Sequence, residues 1–162
     1  MQSKIQTILV PTDFSIRSLQ IVRHVLDRNP NSQFNFVQAT GLNLPSSITD
    51  LLFFSRKDLI KKLSGEIFIE ACQIISNKYV SQINSMRCEV FTGFSQAAFN
   101  LFVEGNRIDK IYIPTNQLTF NSPCFDLIPF MKRSKVPQQV MSWEDSIEVQ
   151  ENHLGELFKS WA

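Results

Sequence analysis

The chain has 162 residues, a length typical of one domain with at most a short appendage. Its 16 Lys+Arg and 15 Asp+Glu give a formal net charge of +1, which provides no long-range field to attract nucleic acid or an anionic membrane. Hydrophobic residues make up 43% of the chain, so there is enough apolar surface to form a core, and disorder is excluded as the main state.

The first residues show no secretory pattern. A single Lys is followed by a short apolar run and then by Pro11 and Asp13, whereas a signal peptide needs roughly 7–15 apolar residues. No stretch approaches the roughly 18 apolar residues of a membrane span. Cys72, Cys88 and Cys124 are odd in number and widely spaced, which favours reduced thiols over disulfides or a zinc site. We therefore expect a cytoplasmic protein.

Apolar runs alternate with helical patterns in the first half of the chain. The patterns predict strand, helix, strand and a long helix over residues 4–10, 16–28, 33–39 and about 55–85. Ser15 is a candidate N-cap of the first helix. Gly65 lies inside the long helical pattern and indicates a kink or a break between two helices.

The second half continues this alternation. It predicts three more strands, over residues 87–92, 109–114 and 136–141. A helix capped by Ser95 should end at Gly105. Ser122-Pro123 is a favourable start for a further helix, which Pro129 should bend or shorten. The alternating order predicts an α/β fold, a three-layer doubly wound domain with a parallel sheet and right-handed crossovers.

The composition changes at Trp143. Acidic residues then follow with no Lys or Arg before Lys159: Glu144, Asp145, Glu148, Glu151 and Glu156. Apolar residues recur at helical spacing near the end: Leu154, Leu157, Phe158 and Trp161. We therefore divide the chain into an α/β domain, residues 1–142, and an acidic extension, residues 143–162, that ends in a short amphipathic helix. Basic stretches lie at residues 56–62 and 132–135. Two hypotheses remain open: these stretches are ordinary solvated helix faces, or the extension folds back or across a dimer and lays its apolar stripe on an apolar surface, with its acidic residues near a basic patch.

Three segments resemble the universal stress proteins (UspA-like). Residues 8–15, Ile-Leu-Val-Pro-Thr-Asp-Phe-Ser, resemble the opening of that family. Residues 109–113, Asp-Lys-Ile-Tyr-Ile, resemble its Asp-led fourth strand, and residues 136–140 lie where the family has a Pro-containing start of strand five. The resemblance covers roughly residues 4–142. It implies a flavodoxin-like, five-stranded parallel sheet of order 3-2-1-4-5 and a homodimer joined along strand five.

One branch of that family binds ATP between the carboxyl ends of strands one and four, where an open α/β sheet offers a crevice. The branch uses an Asp at the end of strand one, matched here by Asp13, and a glycine signature after strand four. Glycines let backbone amides approach phosphates closely, and a helix N-terminus adds donors. In this sequence Pro114 and Gln117 stand at the first two glycine positions, and Leu127 and Ile128 stand where Gly-Ser would follow.

The departure from the signature extends over the whole region. No glycine occurs between Gly105 and Gly155, and Pro114 has no amide to donate to a phosphate. We therefore expect no ATP binding in the manner of that branch.

Four residues remain candidates for binding a cofactor in the crevice: Asp13, Thr12, Thr115 and Ser122. Asp13 fits two compatible interpretations, ligand contact and capping of free amides at the start of helix one. Turn and N-cap roles are the alternatives for Thr115 and Ser122.

No catalytic constellation is evident, and no metal site is predicted. The sequence lacks a P-loop, a Gly-x-Ser-x-Gly elbow, a His-Glu-x-x-His motif and a Cys-x-x-Cys motif. We therefore expect a non-enzymatic stress-response or signalling protein without a cofactor, which acts as a homodimer through an unknown protein partner and binds neither nucleic acid nor membrane. The alternative is weak binding of an adenine nucleotide, ATP or AMP, or another small ligand in the crevice between strands one and four.

Overall fold

The structure, a computed structural model, describes residues 4–44 and 55–144. The strands are β1 (Gln6–Pro11), β2 (Phe34–Leu42), β3 (Ile83–Phe91), β4 (Lys110–Pro114), β5 (Cys124–Phe125) and β6 (Gln138–Met141). The helices are α1 (Leu19–Arg28), α2 (Arg56–Lys78), α3 (Gln96–Gly105) and α4 (Ile128–Lys132), with a 3-10 turn at Ile16–Ser18. Beyond Glu144, the predicted acidic extension lies outside the described residues.

Five of the strands form a parallel sheet in the order β3-β2-β1-β4-β6. This confirms the α/β class and the expected order 3-2-1-4-5, since β6 is the fifth parallel strand. β1 lies in the centre of the sheet, with Ile8 aligned to Phe36 of β2 and to Lys110 of β4. The carboxyl ends of β1 and β4 therefore lie side by side, as a crevice between them requires.

The central strand faces two hydrophobic cores. Ile8 and Val10 pack with residues of α1 and α2 on one face of the sheet. Leu9, between them, packs with residues of α3 and α4 on the other face. All three side chains are fully buried. Because β1 is covered on both faces, its sequence is a continuous apolar run rather than an alternating one.

Local signals set most helix ends as predicted. Ser95 Oγ accepts a hydrogen bond from the Ala98 amide at 3.1 Å, and Ser15 Oγ accepts one from the Ser18 amide at 3.2 Å. The turn after Ser15 is 3-10 rather than α-helical. The long helix bends at Gly65, whose φ of 75° and ψ of 161° favour glycine.

Two strands are longer than the sequence predicts. β2 continues through Gly41 and Leu42, beyond the predicted end of the strand at residue 39: Gly41 pairs with both β3 and β5, and Leu42 pairs with β5. β3 begins at Ile83, whereas residues 83–85 were expected in the long helix. Ile83 and Ser85 instead pair with the start of β2. Tertiary pairing thus extends β2 past its predicted end and overrides the local helical pattern at the start of β3.

The segment between β4 and α4 differs most from expectation. The predicted helix start at Ser122-Pro123 is wrong, because the next element is β5, which runs antiparallel to the end of β2. The helix begins later, at Ile128, whose amide donates to Asp126 Oδ1 at 2.9 Å. Pro129 lies in the first turn of α4, where proline is tolerated, and does not bend its middle.

Over residues 4–44 and 55–144, no helix combines the length and the apolar composition needed to cross a membrane.

Candidate functional site

The predicted ligand crevice lies at the carboxyl ends of β1 and β4. β4 is followed by residues 115–125, named here the crossing segment, which ends in β5. Because β1 lies between β4 and β2, a chain that leaves β4 and pairs with β2 must cross the end of β1. The crossing segment therefore lies where an open α/β sheet binds its ligand.

Asp13 joins the end of β1 to the crossing segment. Its Oδ2 accepts a hydrogen bond from the Thr119 amide at 3.0 Å. Its Oδ1 accepts hydrogen bonds from the Ser15 amide, at 3.0 Å, and from the Ser15 hydroxyl. Hydrogen bonds to a carboxylate are roughly twice as strong as those between neutral groups. Asp13 thus bonds Ser15, the residue that caps the 3-10 turn, and also holds the crossing segment.

Further contacts hold the crossing segment along its length. The Arg17 guanidinium donates to the Gln117 carbonyl at 3.0 Å, and the Asn43 amide donates to the Pro123 carbonyl at 2.9 Å. Leu118, between these two contacts, is buried. The crossing segment is therefore bonded to the turn after β1 and to the end of β2.

The end of the crossing segment packs against the backbone of β2. A Cβ on Gly41 would overlap the ring of Phe125, so this close approach requires glycine. Burial raises the pKa of the neighbouring Cys124 thiol, and a hydrogen bond with Thr40 opposes that shift. β5 is short, but side chains and backbone together seat it on β2.

Thr12 stabilises the turn after β1. Its side chain is fully buried, and its Oγ1 accepts a hydrogen bond from the Phe14 amide and bonds the Ser18 hydroxyl, both at 3.0 Å. Phe14 has a φ of 61°, which is uncommon for a bulky residue, and its ring packs edge-on against Phe68 at 5.5 Å. The structure therefore places Thr12 beneath the turn, engaged with its own chain.

Thr115 and Ser122 lie at opposite ends of the crossing segment. The Thr115 amide donates to the Met141 carbonyl at 2.8 Å, which extends the pairing of β4 with β6. Both side chains are exposed. The structure places these two candidates on the crossing segment itself, Thr115 at its start beside the end of β1 and Ser122 just before β5.

Two residues that carried the sequence argument also have structural roles. Asp109 Oδ2 accepts a hydrogen bond from the Thr7 amide at 2.8 Å, so this carboxylate extends the pairing of β1 with β4. Leu127 stands where the glycine signature would end, and it is fully buried in the core beneath α3 and α4. A bulky core side chain thus occupies a position at which the glycine signature requires the backbone to approach a phosphate closely.

Sequence reasoning missed a link between the crossing segment and the end of β6. Asn116 Oδ1 accepts from the Trp143 amide at 3.0 Å, and Asn116 Nδ2 donates to the Trp143 carbonyl at 2.9 Å. The Arg17 guanidinium lies 5.5 Å from the centroid of the Trp143 ring, within range of a cation–π interaction. A single Asn in a loop gives no local sign of a partner 27 positions away.

The described titratable groups outside the crevice do not form a reactive cluster. Burial raises the pKa of Cys72 to about 11 and that of Cys88 to about 12. Burial also lowers the pKa of His24, whose ring packs near Tyr112. In the part of the chain that the structure describes, no three His, Cys, Asp or Glu side chains are grouped so as to hold a metal ion.

No protein-family model matches the sequence, and no curated protein matches it significantly. Solved structures do match the fold. Universal stress protein UspA from Lactobacillus plantarum superposes with a TM-score of 0.51 and 15% identity, over 86% of this chain and 99% of that chain.

Two other solved structures give similar values. The hypothetical protein MJ0577 has a TM-score of 0.52 and 18% identity, over 87% of this chain and 98% of that chain. A universal stress protein family member from Burkholderia pseudomallei has a TM-score of 0.50 and 11% identity, over 84% of this chain and 95% of that chain. These likenesses concern the fold and confirm at that level the resemblance inferred from the sequence: this chain has the α/β fold of the universal stress proteins.

Proposed function

We propose that this protein is a universal-stress-protein-like, non-enzymatic stress-response or signalling protein of the cytoplasm. It acts through dimerisation and protein contacts and does not bind ATP in the manner of the family's ATP-binding branch. One observation carries the proposal: the crossing segment lies over the end of β1 and is bonded there to Asp13.

A nucleotide in this crevice would compete with the chain's own contacts. Phosphates need free backbone amides, but the Thr119 amide already donates to Asp13, and Pro114 and Pro123 have none to offer. The Asp13 carboxylate already accepts from three donors. A ligand that takes the place of the Thr119 amide on Asp13 Oδ2 must break that bond.

Opening the crevice has a free-energy cost that weakens binding. A hydrogen bond to a charged group contributes about 1.5–3 kcal/mol. Freeing Asp13 from Thr119 therefore reduces the affinity of a nucleotide by roughly 10- to 100-fold, since each 1.4 kcal/mol is about tenfold in Kd. Separating β5 from β2 adds to this cost.

The thiols support a function without covalent catalysis. Cys72 and Cys88 have pKa values raised by burial to about 11 and about 12. At neutral pH their thiolate fraction is therefore very small, and the thiolate is the nucleophilic form.

The proposed dimer is joined along β6. In the described part of the chain this strand pairs with β4 alone, and Val140 on it is 61% exposed. An edge strand offers unpaired backbone groups to a second strand. A second copy would pair with this edge and cover Val140.

Calorimetric titration tests the nucleotide part of the proposal. ATP, ADP, AMP and cyclic AMP are titrated into the wild-type protein and into Asp13→Ala. We expect no saturable heat at submillimolar nucleotide in either protein. Micromolar binding by the wild type that is lost in Asp13→Ala would overturn the proposal and favour the ligand-binding alternative.

Sedimentation tests the dimer. The wild type should sediment as a dimer, and Val140→Lys, which places a charge on the proposed interface, should sediment as a monomer. Leu101→Lys is the matched control, because Leu101 is also exposed but lies on α3. A monomeric wild type, or equal effects of the two substitutions, would contradict joining along β6.

A further inference from the structure

An apolar groove lies between the end of β3 and α3. Phe94, in the connection between them, is 82% exposed, and Leu101 of α3 is 69% exposed. Beside them is a groove of about 480 Å³, lined among others by Val90, Ala98 and Phe102. None of the lining side chains is charged. Adjacent exposed apolar residues of this kind mark a surface that binds another apolar element.

The floor of this groove is preformed. The ring of Phe91 is buried and packs edge-on against Phe99 at 5.4 Å and against Phe102 at 5.5 Å. Phe130 of α4 packs against Phe91 at 5.6 Å from a third direction. A floor fixed by several ring contacts needs little rearrangement to accept an apolar side chain, which favours binding.

Residues 154–161 of the same chain have the complementary chemistry. Their apolar residues recur at helical spacing: Leu154, Leu157, Phe158 and Trp161. Within this stretch the charges of Glu156 and Lys159 offset each other, so it has no net charge to keep it from an apolar surface.

The stretch can reach the groove within one chain. Asn116 fixes Trp143 at the carboxyl edge of the sheet, and the groove lies at the same edge beside β3. β6 and β3 are four strand spacings apart, roughly 19 Å. Residues 145–153 can extend about 30 Å, so they span the separation.

We propose that residues 154–161 bind in the groove between β3 and α3 of their own chain, with their apolar stripe against Phe94 and Leu101. This intramolecular contact covers two apolar surfaces at once. It is independent of the proposed function, because it involves neither the crevice nor β6.

Trp161 reports on this contact. The chain has two tryptophans, so the full-length Trp143→Phe protein has emission from Trp161 alone. We expect this emission to lie at a shorter wavelength than in denaturant. Adding Leu101→Glu should shift it to the wavelength of the denatured chain and expose it to a soluble quencher. Phe94→Ser, the second groove variant, should shift it in the same direction.

Val80→Glu is the matched control, because it adds the same charge to an exposed apolar position, between α2 and β3, that lies neither in the groove nor on β6. It should leave the Trp161 emission unchanged, and the emission should not vary with protein concentration. The proposal is overturned if Trp161 emits as in denaturant or if neither groove variant shifts it. An emission that varies with protein concentration would also overturn it, since the contact would then lie between copies, and so would an equal shift caused by Val80→Glu.

Discussion

Replacing Gly41 with alanine tests whether the crossing segment is seated on β2. A Cβ at this position would overlap three atoms of the Phe125 ring. Overpacking a well-packed site costs about 1–3 kcal/mol. Gly41 does not have a positive φ, so alanine fits the backbone and by itself would stabilise the fold by about 0.4–1 kcal/mol through the unfolded chain. We expect Gly41→Ala to lower the free energy of unfolding by about 1–2 kcal/mol.

A double-mutant cycle isolates the contact. Phe125→Ala removes the ring, and in that background Gly41→Ala should cost nothing or should stabilise slightly. The coupling between the two substitutions, measured by urea unfolding, should therefore exceed about 1 kcal/mol. Gly105→Ala is the control, because a Cβ there meets nothing within 4 Å, and it should be neutral or stabilising. The seating of β5 on β2 would be refuted if the effects of Gly41→Ala and Phe125→Ala on the free energy of unfolding sum to the effect of the double substitution within about 0.5 kcal/mol.

Three other changes test the described structure. Burial lowers the pKa of His24 from 6.5, so its protonation favours the unfolded chain. The free energy of unfolding of the wild type should fall relative to that of His24→Gln as the pH drops below about 6.5. Urea unfolding at several pH values measures both, and equal dependence on pH in the two proteins would contradict this prediction. Cys124 is less deeply buried than Cys72 and Cys88, so a thiol reagent on the native protein at mildly alkaline pH should modify Cys124 first, as peptide masses would reveal. Gln82 donates from Nε2 to two carbonyls at the end of α1, each at 2.9 Å, so Gln82→Ala should cost about 1–3 kcal/mol in urea unfolding, and a neutral result would contradict that role.

Much of the fold follows from local signals in the sequence. The apolar run at the end of β1 predicted a buried strand because that strand is covered on both faces. Ser95 and Gly105 marked the ends of α3, where the cap bond forms within one turn. The strand order came from the resemblance to a known family, since periodicity alone does not order strands.

The contacts that close the crevice could not be predicted in the same way. β5 has two residues, too few to show any periodicity, and its partner on β2 is about eighty positions earlier. The bond from Thr119 to Asp13 spans 106 positions. The position of Asp13 after a strand and before a helix makes it a candidate for ligand contact, but nothing near it in the sequence indicates the Thr119 amide that it binds.

The helix expected at Ser122-Pro123 shows how a correct local rule can mislead. Proline is favourable at a helix start, and the chain contains a second such site at Pro129. At that site the Ile128 amide donates to Asp126 Oδ1, and pairing of β5 with β2 occupies the residues that precede it. Long-range pairing thus decides between two starts that local chemistry does not rank.

A crystal structure of the chain grown with ATP and magnesium tests closure of the crevice most directly. Residues 115–125 should still cross the end of β1, with the Thr119 amide within hydrogen-bond distance of Asp13 Oδ2, and the crevice should hold no nucleotide. Triphosphate density between the ends of β1 and β4, with the crossing segment displaced from Asp13, would contradict this account.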